Sequence, residues 1–128
     1  VRSFLAVSGE LAPTPTVLGH LAGSPAVTRT AAGWVALGGA DPADRVDGDS
    51  FTVRIGRAAR TRGGDVSTEA LAVLLRDGAK VDGSSLAALV PPFGAAHSDG
   101  ASVVAATDWL GFQQLFWWQG PGVAAVST

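Results

Sequence analysis

The chain has 128 residues, of which 47% are apolar and 16% charged, and its formal net charge is −2. That length suits a single domain with one buried core, and the composition excludes a disordered chain. The small acidic surplus argues against a general nucleic-acid binder, and no apolar run approaches the ~20 residues that span a bilayer.

Cysteine is absent, which removes disulfides, thiolate metal sites and thiol nucleophiles together. The opening residues Val1 to Val7 lack the pattern of a signal peptide, so a cytoplasmic location is the expectation. There is also no Met, so Val1 is not expected to be the translated start, and the chain reads as a trimmed or excised piece.

Phe4 to Val7 predicts a short buried strand that ends at Ser8-Gly9-Glu10. The Pro-, Thr- and Gly-rich stretch from Pro13 to Pro25 predicts a loop with little internal order. A second strand is expected over Gly33 to Leu37, followed by a polar, acidic loop from Asp41 to Ser50. From Phe51 to Arg57 the residues alternate strictly: Phe51, Val53 and Ile55 point one way, Thr52 and Arg54 the other.

Ser67 to Gly78 gives the clearest helix. Ser67 caps it, Glu69 sits in the first turn, Gly78 stops it, and Ala70, Leu71, Leu74 and Leu75 share one face. A second short helix from Ser84 or Ser85 to Val90 ends at Pro91-Pro92. Beyond Phe93, three strands (Ala101 to Thr107, Phe112 to Trp118 and Val123 to Ser127) joined by turns at Asp108 to Gly111 and Gln119 to Gly122 predict an antiparallel meander. Sheets and helices in separate runs make the expected class α+β.

The residues offer little conventional chemistry. His20 and His97 lie in different segments, and although Asp99 is near His97, the spacing matches no zinc pattern. No G-x-S-x-G elbow is present, and Lys80, the only lysine, belongs to no phosphate loop. A nucleophilic Ser3 would have to be exposed as the N-terminus by processing. Arg54, Arg57, Arg60 and Arg62 form a basic cluster, read as a solvated strand face and loop or, more sharply, as an anion or RNA site. No aromatic residue interleaves with them as a stacking platform requires. The one unusual concentration is aromatic: Trp109, Phe112, Phe116, Trp117 and Trp118. With both faces of its strand apolar, the segment is either buried on both sides or leaves one face for another domain.

Ala106 to Trp117 is similar to the A-R-D-x-x-G-x-x-P-L-Y-Y stretch that closes the amidotransferase domain of asparagine synthetases. Val123 to Ser127 looks like the strand that follows it in that family, Ser67 to Leu75 resembles its S-D-T-E-V-L-L helix, and Phe4 to Val7 resembles its opening C-G-I-F-G-V strand. The resemblance implies a truncated Ntn-hydrolase-like αββα sandwich of antiparallel sheets with flanking helices, over residues 1–128. It also implies that the family's glutaminase is lost. The N-terminal Cys has no counterpart, its place falling near Arg2. The Asn-Gly-Glu that helps bind glutamine is missing near Arg54 to Arg60. Ser67 stands where the family has a glutamine-binding Asp, and Thr107 where it has Arg.

Beta-lactam synthetases and lasso-peptide macrolactam synthetases are relatives of this kind. They close a ring with an amine on the substrate itself and need no ammonia. Their ATP- and Mg²⁺-dependent adenylation sits in a following domain opened by S-G-G-x-D-S, which this sequence lacks. The resemblance thus implies a non-catalytic domain with no cofactor or metal of its own. Its expected partners are an ATP-using synthetase domain, in cis or trans, and a peptide substrate, with no nucleic acid and no membrane. Asp108 and Gly111 would fix the turn that presents a contact surface carrying Phe112, Phe116, Trp117 and Trp118. The alternative reading is a free-standing α+β binding module that uses the arginine cluster.

Overall fold

A computed structural model of the chain describes residues 3–39, 41–48, 50–55 and 59–128. The protein is α+β, with two main antiparallel sheets, few helices and no closed barrel.

The larger sheet has five strands in the order β10-β11-β1-β3-β2: β10 (Phe116–Gly120), β11 (Val123–Ser127), β1 (Ser3–Gly9), β3 (Gly33–Gly38) and β2 (Ala26–Arg29). The smaller has four in the order β4-β5-β8-β9: β4 (Arg45–Asp47), β5 (Ser50–Arg54), β8 (Gly94–Ser98) and β9 (Val103–Thr107). A two-stranded hairpin, β6 (Arg60–Thr61) with β7 (Gly64–Asp65), stands apart from both.

The period-two geometry of a strand explains how the layers assemble. On β1, Phe4 and Ala6 face the smaller sheet, and so do Val35 and Leu37 on β3. There they meet Phe51 and Val53 of β5, Ile55 just after it and Ala96 of β8. The alternate residues Leu5, Val7, Trp34 and Ala36 point the other way and are covered by Leu11, Val17, Leu18 and Leu21. Strands β1 and β3 are therefore buried on both faces. That is why their apolar runs are continuous and not alternating.

The outer face of the smaller sheet is covered by α2 (Thr68–Lys80) and a short 3-10 helix (Ser84–Ala88). As expected, Ser67 caps α2, its Oγ accepting from the Ala70 amide at 3.1 Å. Leu71 and Leu75 are fully buried against Phe93 and Ala95. Two details differ from the sequence reading. Ala70 is exposed, and Gly78 does not stop the helix, which runs on to Lys80. A Cβ at Gly78 would lie 3.1 Å from Ser85 Oγ and 3.2 Å from Leu86 Cγ, so glycine here lets the 3-10 helix approach closely.

Other expectations are corrected as well. The stretch from Pro13 to Pro25 holds a helical turn, α1 (Pro15–Leu18), with Thr14 as N-cap and Pro15 in its first turn. The acidic loop contains β4, paired with β5 through Arg45↔Thr52 and Asp47↔Ser50. His97, expected as a polar residue at a strand end, lies near the end of a strand β8 whose extent the sequence does not mark, and regular strand geometry starts at Phe116, not Phe112. The meander does not exist: β9 is the edge of the smaller sheet and β10 the edge of the larger, so residues 108–115 cross between sheets. The final hairpin does form, with β10 and β11 pairing from Phe116↔Ser127 to Gly120↔Val123.

Because α2 supplies much of the cover on the smaller sheet, Leu71→Ala is expected to cost about 2–5 kcal/mol, read as a lower urea midpoint with an unchanged slope. The exposed Val73→Ala is expected to stay within about 0.5 kcal/mol by the same measurement.

Candidate functional site: the Asp108 crossover and its aromatic flank

The crossover is organised by one carboxylate. Asp108, 3% exposed, follows directly on the last residue of β9. Its Oδ1 accepts the Phe112 amide at 3.1 Å, and its Oδ2 accepts the amides of Gln113 at 3.2 Å and Phe93 at 3.4 Å. Its backbone joins the same knot: Asp108 N–H donates to Phe93 O at 3.0 Å, and Asp108 O accepts from Gly111 N–H at 3.1 Å. Gly111 lies at φ +73°, in the left-handed region that glycine favours and other residues reach only with strain. The expected turn at Asp108 to Gly111 is therefore present, and both of its marker residues hold it.

Three backbone donors that no ladder serves are satisfied by a single buried side chain. Burial alone would raise the Asp108 pKa. The hydrogen bonds from Phe112, Gln113 and Phe93 outweigh it and hold the carboxyl below its ordinary value of 3.8. Beyond the turn, the Gln113 side chain packs where a Cβ on Gly94 would sit, 2.5 Å from its Cγ, and Leu115 packs against the core between the sheets. The crossover is thus anchored at Asp108, at Gln113 and at Leu115.

Between the anchors, apolar side chains face solvent. Trp109 is 79% exposed, and Leu110 and Phe112 are exposed beside it. On β10, Phe116, Trp117 and Trp118 are exposed too, Trp117 at 77%. The aromatic concentration is therefore neither a core nor a strand buried on two sides. It divides into a crossover part and an edge-strand part. Two concavities adjoin it. A groove of about 640 Å³ runs between the β6–β7 hairpin (Thr61, Arg62, Gly63), the Ala87–Pro91 segment and Trp109. A cleft of about 300 Å³ opens at the margin of the two sheets between Trp117, Trp118 and Gln119 of β10, Ser8 of β1, Ser102 and Val103.

The arginine cluster is dispersed. Arg54 was expected on a solvated face; instead its side chain is 17% exposed and its Nη2 pairs with Asp41 Oδ1 at 3.0 Å. The reason is that α2 covers that side of β5, which also buries Thr52. Arg57 lies outside the described residues, as does Arg2, where the family's nucleophile was aligned. Arg60 and Arg62 are on the β6–β7 hairpin, and Arg62 lines the groove beside Trp109. Ser67 serves as a helix cap. Ser3 Oγ accepts the Ala22 amide at 3.0 Å.

The histidines sit in different layers. His20 lies 3.5 Å from Ser127 Oγ, while His97 Nδ1 lies 2.8 Å from Thr52 Oγ1 under α2. Among the described residues, no group of three or more His, Asp or Glu side chains could hold a metal ion. Removal of His97 from water lowers its pKa, and the positive charge of Arg76 lowers it further, against a smaller opposing effect of Asp99. This Thr52–His97 pair was invisible in the sequence, because its only local signal is a polar residue in the unrecognised strand β8.

No helix among the described residues is long and apolar enough to cross a membrane. Compared with protein-family models, with curated proteins and with solved structures, the chain has no significant match in any of the three.

Two outcomes follow from these geometries. Asp108→Ala leaves one buried amide (Phe93) and two part-buried ones (Phe112, Gln113) without their acceptor and is expected to lower Tm by more than about 5 °C in calorimetry, with Asp108→Asn, which keeps acceptor oxygen but gains a donor, falling between. His97 binds its proton less readily folded than unfolded. Its contribution is therefore complete above the ordinary pKa of 6.5 and is lost as pH falls through the lowered folded value. Urea titrations at pH 7 and pH 5 should show this loss, and His97→Gln should flatten it. The depressed Asp108 acts lower, its contribution lost as pH falls from 3.8 through its folded value.

Proposed function

We propose that this chain is the amidotransferase-like domain of an ATP-dependent, asparagine-synthetase-like amide ligase of the macrolactam-forming type, and that it has no glutaminase activity. In this reading its architecture is a truncated Ntn-hydrolase-like αββα sandwich. Support comes from the layer order, with two antiparallel sheets face to face, α2 outside one and the α1 segment outside the other. The observation that carries the reading is the Asp108 turn. The residues that resemble the family's closing stretch are the same ones that knot the crossover and present apolar side chains to solvent.

The role is that of a scaffold that shapes substrate entry for a separate catalytic domain. ATP and Mg²⁺ belong to that domain, and no residue of this chain is assigned to them or to a catalytic step. We assign the docking contact to the crossover residues Trp109, Leu110 and Phe112, because anchors on both sides hold them in place and three large apolar side chains exposed within four residues favour a partner surface. A peptide substrate would pass near this contact. The free-standing binding-module reading finds its own support in the groove beside Arg62 and Trp109, where a cation and an indole face one opening.

The two readings separate in one experiment. The chain is co-expressed with the S-G-G-x-D-S-bearing domain encoded in the same reading frame or beside it. Co-elution that Trp109→Ala/Phe112→Ala weakens at least about tenfold supports the ligase reading, since hot-spot aromatics carry most of such a contact. Two folded proteins that elute separately overturn it.

A further inference from the structure

The edge strand β10 carries a second, independent message. Its sequence is Phe116-Trp117-Trp118-Gln119-Gly120, with no charged residue and no proline. Monomeric proteins blunt a free edge with lysine, proline, a bulge or a covering loop, because unpaired strand backbone recruits other strands. Strand β10 is the last strand of its sheet, pairs in register with β11 from end to end, and has no strand on its other side among the described residues.

The hairpin fixes which backbone groups are free. Its two-residue turn, Pro121-Gly122, closes on the pair Gly120↔Val123. In such a hairpin the closing pair exchanges both hydrogen bonds, and the pattern alternates from there. Gly120, Trp118 and Phe116 therefore bond to β11, while the N–H and C=O groups of Trp117 and Gln119 point to the open edge. Side chains alternate as well. Trp117 and Gln119 lie on the face of Val126 and Ala124, toward the smaller sheet, and Phe116 and Trp118 lie on the opposite face, that of Ser127 and Ala125.

This pattern is its own complement. We propose that β10 pairs antiparallel with β10 of a second copy of this chain about a two-fold axis at Trp118, joining the two five-stranded sheets into one of ten strands. In that register Trp117 of each copy exchanges hydrogen bonds with Gln119 of the other, which uses every free backbone group of the central three residues. The two Trp118 residues meet at the non-hydrogen-bonded position, where side chains approach most closely and aromatic pairs are most favourable. Phe116 falls opposite Gly120, a large residue against one with no side chain. The Trp118 ring already leans over Gly120 of its own strand, so the incoming Phe116 meets an aromatic edge and not a void. No like charges are brought together. A residue is matched by its counterpart on both faces, as a two-fold contact requires.

The pairing is independent of the docking role, which uses the crossover residues. Sedimentation velocity on the whole chain tests it. The wild-type chain is expected to form dimers with Kd below about 100 µM. Gln119→Pro removes one outward donor without touching the bonds to β11, and Trp118→Lys places like charges at the axis. Both are expected to weaken dimerisation at least about tenfold with an unchanged far-UV circular dichroism spectrum. Trp109→Ala is expected to leave it intact. A wild-type chain that stays monomeric at about 500 µM overturns the proposal, as does a dimer that survives both β10 variants. Protection of the Trp117 and Gln119 amides that depends on an added ATP-using domain and not on chain concentration also overturns it, and gives the edge to that domain instead.

Discussion

The structure depends on how one buried carboxylate manages a change of sheet. After β9 the chain must leave the edge of the smaller sheet and enter the edge of the larger, and the backbone between them has no ladder to join. Asp108 supplies what the ladder cannot, accepting the amides of Phe112, Gln113 and Phe93. The two bonds between Asp108 and Phe93, one from the carboxylate and one from the backbone, tie the crossover to the smaller sheet, because Phe93 leads directly into β8. A glycine at Gly111 and another at Gly94 let the backbone turn and the Gln113 side chain close down. With those groups committed inward, the residues between them have only solvent to face. The exposure of Trp109, Leu110 and Phe112 is a consequence of the clamp.

How much of this could be read from the residues depended on how local the cause was. The Phe4–Val7 and Gly33–Leu37 strands were legible because burial on both faces leaves an unbroken apolar run. Helix α2 announced itself through Ser67 and its leucines, and the Asp108 turn through an acid and a glycine at turn spacing. Strand β8 was not legible: Gly94-Ala95-Ala96-His97-Ser98 contains only small and polar residues, since it is a central strand hemmed in on both sides. Sheet membership was not legible either. Three successive strand-like segments look like a meander locally, and only the inter-sheet packing of Leu115 and the clamp at Asp108 show that they belong to two sheets. Arg54 misled for a similar reason. Alternation places it correctly on the far face of β5 from Phe51, but says nothing of the helix that covers that face or of the Asp41 carboxylate that meets it.

The candidate site follows the same division. Asp108 and Gly111 stand where sequence placed them, whereas Phe112 to Trp118, one strand by sequence, divides between the crossover and β10, two structures with different physics. On the crossover the aromatic residues form an exposed apolar knuckle between anchored residues; on β10 they flank a row of backbone donors and acceptors with no strand beside it among the described residues. A knuckle suits the side of a folded domain, and an uncharged edge suits another strand. In the proposed reading, this division leaves the docking residues and the pairing edge on separate parts of one short segment.

The central claim is that the Asp108 clamp, and not contact with a partner, holds the crossover and its aromatic residues in place. Native-state amide hydrogen exchange in the isolated chain measures this directly. The Phe93, Phe112 and Gln113 amides are predicted to exchange as slowly as the central amides of β8, with the same dependence on denaturant, because opening them requires the sheets to part. Exchange of Phe112 and Gln113 at the rate of an exposed loop, while β8 stays protected, would contradict the account.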